Sequence, residues 1–123
     1  MELNNYFKSV VDQDRTPIVI CDINHVIIYM NPQAVKNYSN RGGIALLGKS
    51  LLECHHPQSA FKIMEIIHWF NESKNNNIIH TFYDEQKNKD VYMVALRDND
   101  GNLIGYFEKH EFRIKDDMPF YAF

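Results

Sequence analysis

The order of hydrophobic periodicities along the chain limits its fold more than any single motif does. Two short β-branched runs, Ile18 to Cys21 and Val26 to Tyr29, come early, and three longer runs, Ile78 to Tyr83, Val91 to Arg97 and Leu103 to about Ile114, come late. Alternation over such lengths is typical of strands. The intervening residues carry helical patterns. This order predicts an α+β domain, with a five-stranded antiparallel sheet and helices packed on one face.

The helical segments have apolar stripes with a period near 3.6. Residues 2 to 13 predict an N-terminal helix whose stripe consists of Leu3, Tyr6, Phe7, Val10 and Val11. Asn31 and Pro32 are typical of a helix cap and a first helical residue.

The clearest helix is predicted over Ala60 to Ser73, with Ser59 as its cap. Its core stripe is Ile63, Ile66, Ile67 and Phe70. We expect Phe61, Met64 and His68 to line an adjoining face of the same helix.

Composition limits the class of protein. The chain has 123 residues, 45% of them hydrophobic, and a net charge of -3. A chain of this length supports one domain with its own core. The charge gives no basic footprint for nucleic acid and no polybasic membrane anchor. No apolar run is long enough to span a bilayer, and residues 1 to 4 do not begin a signal peptide.

The cysteine count points to a reducing compartment. Cys21 and Cys54 are the two cysteines, too few for a disulfide framework. We therefore expect a cytoplasmic chain. Together with the composition, this argues against a multidomain enzyme, a secreted cystine scaffold and a membrane protein.

Several local sequences, in order, resemble a PAS domain. Residues 17 to 22 and 26 to 32 resemble the PAS opening, in which the second strand runs into an Asn-Pro helix start. Residues 48 to 52 resemble the PAS Gly-x-x-hydrophobic step, and residues 98 to 105 resemble the hairpin between the last two strands. Residues 54 to 59, Cys-His-His-Pro-Gln-Ser, are similar to a Cys-His-Pro-Pro-x-Ser stretch of one bacterial PAS subgroup, with His56 in place of the first proline.

The resemblance implies an organisation for the whole chain. Residues 16 to 115 would form the PAS domain, residues 1 to 15 an N-terminal helix able to contact a second subunit, and residues 116 to 123 a short aromatic tail. It also implies a cupped sheet covered by helices, with a pocket between them. The last strand lacks the Asp-Ile-Thr ending of many family members. No output domain follows within the chain. If the chain is the whole protein, we expect a signal to pass by contact with a partner; if it is a fragment of a larger signalling protein, the output domain lies outside this sequence.

Flavin and haem, two cofactors that PAS domains bind, each require particular residues. The Asn-Cys-Arg-Phe-Leu-Gln signature of flavin photosensors is absent, so a flavin photoadduct is not expected. Haem-binding relatives often use a histidine of the long helix, which would be His68 here. The alternative is that His68 only covers the edge of the core with its carbon atoms.

Cys54, His55 and His56 form the densest group of ligand-type residues. They could contribute to a zinc site, with His80 or His110 as a further ligand, or the cysteine and a histidine could form a nucleophile pair. Three consecutive residues cannot easily converge on one ion, so we favour a structural role at the start of the following helix.

No catalytic motif is recognisable. The sequence contains no glycine-rich phosphate loop, no His-Glu-x-x-His and no Gly-x-Ser-x-Gly. Asp22, Asp98 and Asp100 fall in turns, where bonding to the backbone explains them. We therefore expect a protein that binds and does not catalyse.

A ligand pocket between sheet and helices is one hypothesis, and a core filled by the same large side chains is the other. A pocket would hold a small, largely apolar or aromatic ligand. The residues expected to contact it are His55, Phe61, Met64, His68, His80, Tyr92 and Tyr106.

The strand of residues 91 to 97 has no polar face, because Tyr92, Val94 and Leu96 alternate with Val91, Met93 and Ala95. Both faces of the sheet should then be covered. The N-terminal helix, a second subunit, or the tail with Phe120, Tyr121 and Phe123 could cover the outer face.

The sequence thus predicts a signal-sensing domain that binds a small molecule, forms a homodimer, or does both. The alternatives are a ligand-free protein-interaction module and a haem sensor.

Overall fold

The computed structural model describes residues 2–114 and 116–122, and its helices and strands follow the expected order. Met1, Lys115 and Phe123 lie outside the described residues, so the expected roles of Phe123 in the tail and of Lys115 as a domain boundary are not addressed. The elements in chain order are α1 (Leu3–Asp12), β1 (Val19–Asp22), β2 (Ile27–Met30), α2 (Pro32–Asn37), α3 (Pro57–Glu72), β3 (Ile78–Asp84), β4 (Lys89–Arg97) and β5 (Leu103–Phe112). Three 3-10 turns, Ser39–Arg41, Gly43–Leu46 and Leu52–Cys54, link α2 to α3.

The five strands form one antiparallel sheet in the order β2-β1-β5-β4-β3. β1 and β5, distant in sequence, are neighbours at the centre. The chain leaves the sheet at one edge after β2 and re-enters at the other edge with β3. The helices and turns between those strands therefore cross one face of the sheet, and the predicted α+β class is confirmed.

Gly105 permits the close approach of the two central strands. A Cβ atom built at this position would lie 2.2 Å from the carbonyl oxygen of Cys21 on β1. Any larger residue would force the backbones apart. At the β4–β5 turn, Gly101 has the positive φ of +85° that the Asp-Asn-Asp-Gly sequence predicts.

Asn31 joins three elements at the start of α2. Its side chain is fully buried and accepts hydrogen bonds from the backbone N–H groups of Ile18 and Ala34, each at 2.9 Å. The same amide donates to the carbonyl oxygens of Val11 and Thr16, each at 3.0 Å. The predicted cap is confirmed, and it also holds the end of α1 against the start of β1.

α3 begins two residues before the predicted cap. Pro57 is the first helical residue and His56 is the N-cap, its Nδ1 accepting from the N–H of Gln58 at 3.4 Å. The prediction of Ser59 as cap is wrong, because proline suits the first helical turn, where its missing N–H has no partner to lose.

α1 packs loosely against the domain. None of its residues is buried, and the apolar side chains of Leu3, Tyr6, Phe7 and Val10 are exposed. Its last turn is held by a short hydrogen bond from the Tyr29 hydroxyl to Asp12. Phe120 and Tyr121 of the tail are exposed as well. α1 meets the outer face of the sheet at Tyr29 of β2, over whose ring Lys8 also lies.

No helix in the described part of the chain is long and apolar enough to cross a membrane.

Candidate ligand-binding cavity

The inner face of the sheet carries one acidic residue in an apolar row. The strand registers align Met30, Val19, Glu108, Met93 and Ile79 side by side, from β2 at one edge to β3 at the other. Cross-strand partners have Cβ atoms about 5 Å apart. Glu108 is therefore flanked by Val19 on one side and Met93 on the other.

A cavity of about 660 Å³ lies between this face and α3. α3 contributes apolar and polar side chains to its wall, and the sheet contributes the row just described without Met30. Leu51 and His55, from the segment before α3, also line it. Its walls are Val19, Leu51, His55, Ser59, Lys62, Ile63, Glu65, Ile66, Trp69, Ile79, His80, Thr81, Phe82, Met93, Tyr106 and Glu108. This volume is within the range of small-molecule sites.

A second cavity, of about 300 Å³, lies beside β2 and the 3-10 turns. It is lined by Val19, Ile27, Met30, Tyr38, Arg41, Leu46, Leu51, Cys54, His55 and Glu108. Four residues line both cavities: Val19, Leu51, His55 and Glu108. Glu108 therefore stands at the boundary between the two spaces.

The Glu108 carboxyl has no hydrogen-bond partner among residues 2–114 and 116–122. Burial raises its pKa, and the nearby basic groups of His55 and Lys89 oppose that shift without overcoming it. Neither of these groups forms an ion pair with Glu108. A buried carboxyl without a partner is costly unless something occupies the space beside it.

His55 is the second polar group of the shared wall. Its Nδ1 lies 2.8 Å from the carbonyl oxygen of Leu51, and a carbonyl can only accept, so Nδ1 carries the proton. In the neutral ring Nε2 is then a hydrogen-bond acceptor.

Tyr106 and Cys21 pair across β5 and β1 in the deepest part of the core. Tyr106 is 2% exposed, and its hydroxyl lies 2.8 Å from Nδ1 of His25. Burial raises the pKa of the Cys21 thiol to about 12, and it raises the pKa of Tyr106 as well. Both groups therefore stay protonated, and Cys21 is not a reactive thiolate.

The structure brings three of the seven predicted contact residues to the cavity wall. They are His55, His80 and Tyr106. Whether any of them binds a ligand stays a prediction. Most of the His80 contacts lie on the outer face of the sheet. There its Nε2 lies 2.9 Å from Oδ1 of Asp90, and its ring packs on Tyr92.

Tyr92 does not line the cavity, contrary to expectation. It pairs with His80 on the outer face of the sheet, one residue away from Met93, which faces inward. A β-bulge between His80 and Phe82 then brings Phe82 to the cavity wall. Strict alternation along β3 predicted that His80 and Phe82 share a face of the sheet. The bulge between them breaks this alternation.

Phe61, Met64 and His68 point away from the cavity, which corrects their predicted placement. Phe61 is 64% exposed, and the His68 side chain is 80% exposed beside Glu72, at 3.4 Å. These residues form the solvent-facing stripe of α3, because positions separated by three and four residues share one face. A haem iron in the cavity could not be reached by His68.

Cys54, His55 and His56 have three separate roles. The Cys54 thiol donates to the carbonyl oxygen of Ser50 at 3.4 Å, His55 lines the cavities, and His56 caps α3. No group of three or more metal-ligand side chains occurs within the described ranges.

No protein-family model and no curated protein matches the sequence. Several solved structures, in contrast, are similar to the fold of this chain. The PAS domain of a protein from Colwellia psychrerythraea is similar with a TM-score of 0.66 at 14% identity, over 90% of this chain and 97% of that one. The PAS domain of BvgS from Bordetella pertussis gives 0.64 at 16% identity, over 93% and 88% of the two chains. The chain has a PAS fold.

Another structure with the PAS fold comes from the Aer2 receptor of Vibrio cholerae, described as a dual PAS-heme oxygen sensor. Its TM-score is 0.54 at 16% identity, over 77% of this chain and 91% of that one. At such identities the likeness concerns the fold alone, because one fold hosts many unrelated functions. The PAS resemblance drawn from the sequence is confirmed at the level of the fold.

Sequence reasoning overlooked Glu108 as a site residue, although a signal was present. In β5, Glu108 alternates with Tyr106, His110 and Phe112, so it falls on the face that also carries Tyr106. A carboxylate in the middle of a strand face that carries mainly apolar and aromatic side chains is the pattern of a site residue. Its neighbours Val19 and Met93 are distant in sequence and become visible only through the sheet register.

Proposed function

We propose that this chain is a signal-sensing PAS domain that binds a small molecule in the cavity between α3 and the sheet. The observation that carries the proposal is the 660 Å³ space with a mostly apolar wall and few polar groups, Glu108 and His55 among them. Such a wall suits a ligand with an apolar body and a small polar part. Structures with the PAS fold that are described as sensors, a sensor histidine kinase and the Aer2 oxygen sensor, support a sensory role.

The domain would act by binding, not by catalysis. A ligand shifts a conformational equilibrium only if it binds two states with different affinity. α3 and the segment before it form one wall of the cavity, so a bound ligand would change their packing against the sheet. The two free cysteines favour a reducing compartment such as the cytoplasm.

Mass spectrometry of freshly purified protein under native and denaturing conditions tests the ligand proposal. We expect a native mass excess that disappears on denaturation. Ile66→Trp projects a larger ring into the cavity wall and should abolish the excess. Met64→Trp adds the same ring on the exposed side of α3 and serves as the matched control. A native mass equal to that of the bare chain, with no mass gained after incubation with cell extract, would contradict the proposal.

A second candidate function, self-association, is favoured by the outer face of the sheet. There the registers align Tyr29, Ile20, Phe107, Val94 and Ile78 in an apolar row across all five strands. The apolar stripe of α1 is a second exposed apolar surface. Its large aliphatic and aromatic side chains are of the kind that pack a helix against a sheet. In a two-fold dimer, each copy would present both surfaces to the other.

The structure does not favour haem bound through His68, the ligand that the sequence suggested. His68 lies on the solvent side of α3, and its side chain is 80% exposed. The haem described for Aer2 is therefore a property of that receptor and does not enter this proposal.

A further inference from the structure

We propose that Glu108 is the recognition residue of the cavity and that its ligand carries an amine on an apolar, ring-sized body. This inference rests on the proposed ligand-binding function and deepens it by naming the chemical class of the ligand.

The first argument is the position of the carboxyl. Glu108 sits at the centre of the inner row, between Val19 and Met93, and it lines both cavities. It retains part of its accessible surface, and that surface faces cavity space. A ligand in either cavity would meet this carboxyl.

The second argument is the absence of a competing partner. Other carboxylates of the sheet are engaged: Asp90 accepts two hydrogen bonds from Arg113, each at 2.7 Å, and Asp22 accepts from backbone N–H groups in its turn. Within the described residues, Glu108 has no such bond. An unpaired carboxyl in an apolar surrounding gains more from a cationic hydrogen-bond donor than an exposed carboxyl does.

The third argument is the kind of polar group beside it. His55 directs Nδ1–H at the carbonyl oxygen of Leu51, so in this tautomer Nε2 is left as the acceptor on the cavity side. Lys62 and Glu65 also line the main cavity, but both are exposed residues of α3. At the wall that the two cavities share, Glu108 and this tautomer of His55 therefore present acceptors, and the complementary ligand group there is a donor.

Isothermal titration calorimetry with three probes of one shape and different charge tests the assignment. The probes are tryptamine, indole-3-ethanol and indole-3-acetate, which are a cation, a neutral molecule and an anion at neutral pH. We expect the full chain to bind tryptamine about tenfold more tightly than indole-3-acetate. Glu108→Gln should remove this preference while leaving the binding of indole-3-ethanol within about twofold.

Glu65→Gln is the matched control, because it removes a carboxylate from the exposed rim of the same cavity. An equal loss of tryptamine binding in both variants would mean general attraction to a negatively charged protein, and it would overturn the assignment. Binding of indole-3-ethanol without any gain for tryptamine would also overturn it, yet would leave the ligand-binding function standing. If none of the three probes binds, the assignment fails, and the native mass measurement decides the proposed function separately.

Discussion

Single buried polar residues fix much of the local geometry. Asn31 satisfies four backbone groups from three segments, and a substitution that keeps its shape tests that role. Asn31→Asp replaces the donating amide nitrogen by an oxygen, so the carbonyls of Val11 and Thr16 lose their donor. We expect the free energy of unfolding to fall by about 2–4 kcal/mol in urea titrations.

Asn40→Asp is the control for that experiment, since Asn40 is exposed. Its free energy of unfolding should change by no more than about 0.5 kcal/mol. A similar small change for Asn31→Asp would show that the hydrogen bonds of Asn31 are not important for stability.

His110 makes the stability of the fold depend on pH. It is 7% exposed, and its Nδ1 has no hydrogen-bond partner in the described part of the chain. Burial, together with the smaller effects of the Lys89 and Lys87 charges and against the opposing charge of Asp84, lowers its pKa from 6.5 to about 4. The unfolded chain therefore takes up a proton at a higher pH than the folded chain.

The sign of the pH effect follows from this difference in pKa. The contribution of His110 to stability is fully present above pH 6.5 and is lost as the pH falls from 6.5 towards 4. We expect a loss of about 2–3 kcal/mol between pH 7 and pH 4.5 from this residue. In urea titrations His110→Leu should lose correspondingly less stability over that interval than the wild type, with His68→Leu as the control for removing a histidine. Parallel pH profiles of wild type and His110→Leu would rule the explanation out.

At the scale of elements, one guanidinium anchors the end of α3 to the sheet. Arg97 at the end of β4 donates to the carbonyl oxygens of Phe70, Ser73 and Asn76, at 2.7 to 3.1 Å. It also donates to Gly101 at 3.0 Å and to the Asn77 side chain at 2.6 Å. The carbonyl of Phe70 in the last turn of α3 and that of Ser73 at its C-cap, which lack partners within the helix, thereby accept from a cation.

Arg97→Lys tests this anchor. An ammonium group cannot reproduce the planar, multiple donation, so we expect a loss of about 2–3 kcal/mol in the free energy of unfolding. Arg15→Lys is the matched control, because Arg15 pairs with Asp116 at an exposed site where ion pairs contribute about 0–1 kcal/mol. Equal effects of the two substitutions would contradict the role of Arg97. Urea unfolding followed by circular dichroism provides the measurement.

The boundaries of elements were less predictable than their order. α3 begins at Pro57 and β5 ends at Phe112, whereas the patterns predicted Ala60 and about Ile114. Caps and strand ends depend on which backbone groups find hydrogen-bond partners. At the start of α3 the capping residue is His56, where the pattern predicted Ser59. The bulge in β3 has the same origin, since it reflects the pairing of two strands and not a preference of one.

At the scale of the whole molecule, the proposed self-association depends on two surfaces, the apolar outer row of the sheet and the exposed stripe of α1. The row spans five strands, about 19 Å at the usual strand spacing. α1 has ten residues and is about 15 Å long, so its stripe and the row are of similar length. A homodimer that pairs these surfaces would bury both.

Sedimentation equilibrium tests the dimer with two single substitutions. We expect the wild type to be dimeric at micromolar concentration, and Val94→Glu and Phe7→Glu to raise the dissociation constant at least tenfold, since each places a charge in an apolar contact. Phe7 is exposed, so its replacement does not threaten the fold. Asn5→Glu, on another side of α1, should behave as the wild type. A monomeric wild type at high concentration would exclude this assembly.

The sequence by itself determined the order of the elements, the five strands, the Asn31 cap and the PAS resemblance. These features depend on short-range patterns: hydrophobic periodicity, turn residues and capping residues act within a few positions along the chain. The sequence also contained both apolar surfaces, as the α1 stripe and the alternation in β4.

Only the tertiary structure decided which residues line the cavity. It placed Glu108 between Val19 and Met93, turned Phe61, Met64 and His68 to the solvent, and moved Phe82 across the sheet at a bulge. The rotation of a helix about its axis and the register of distant strands depend on packing between segments that are remote in sequence. The hydrophobic pattern of one element predicts which of its residues share a face. Which of its faces is turned towards the cavity depends on how the elements pack together.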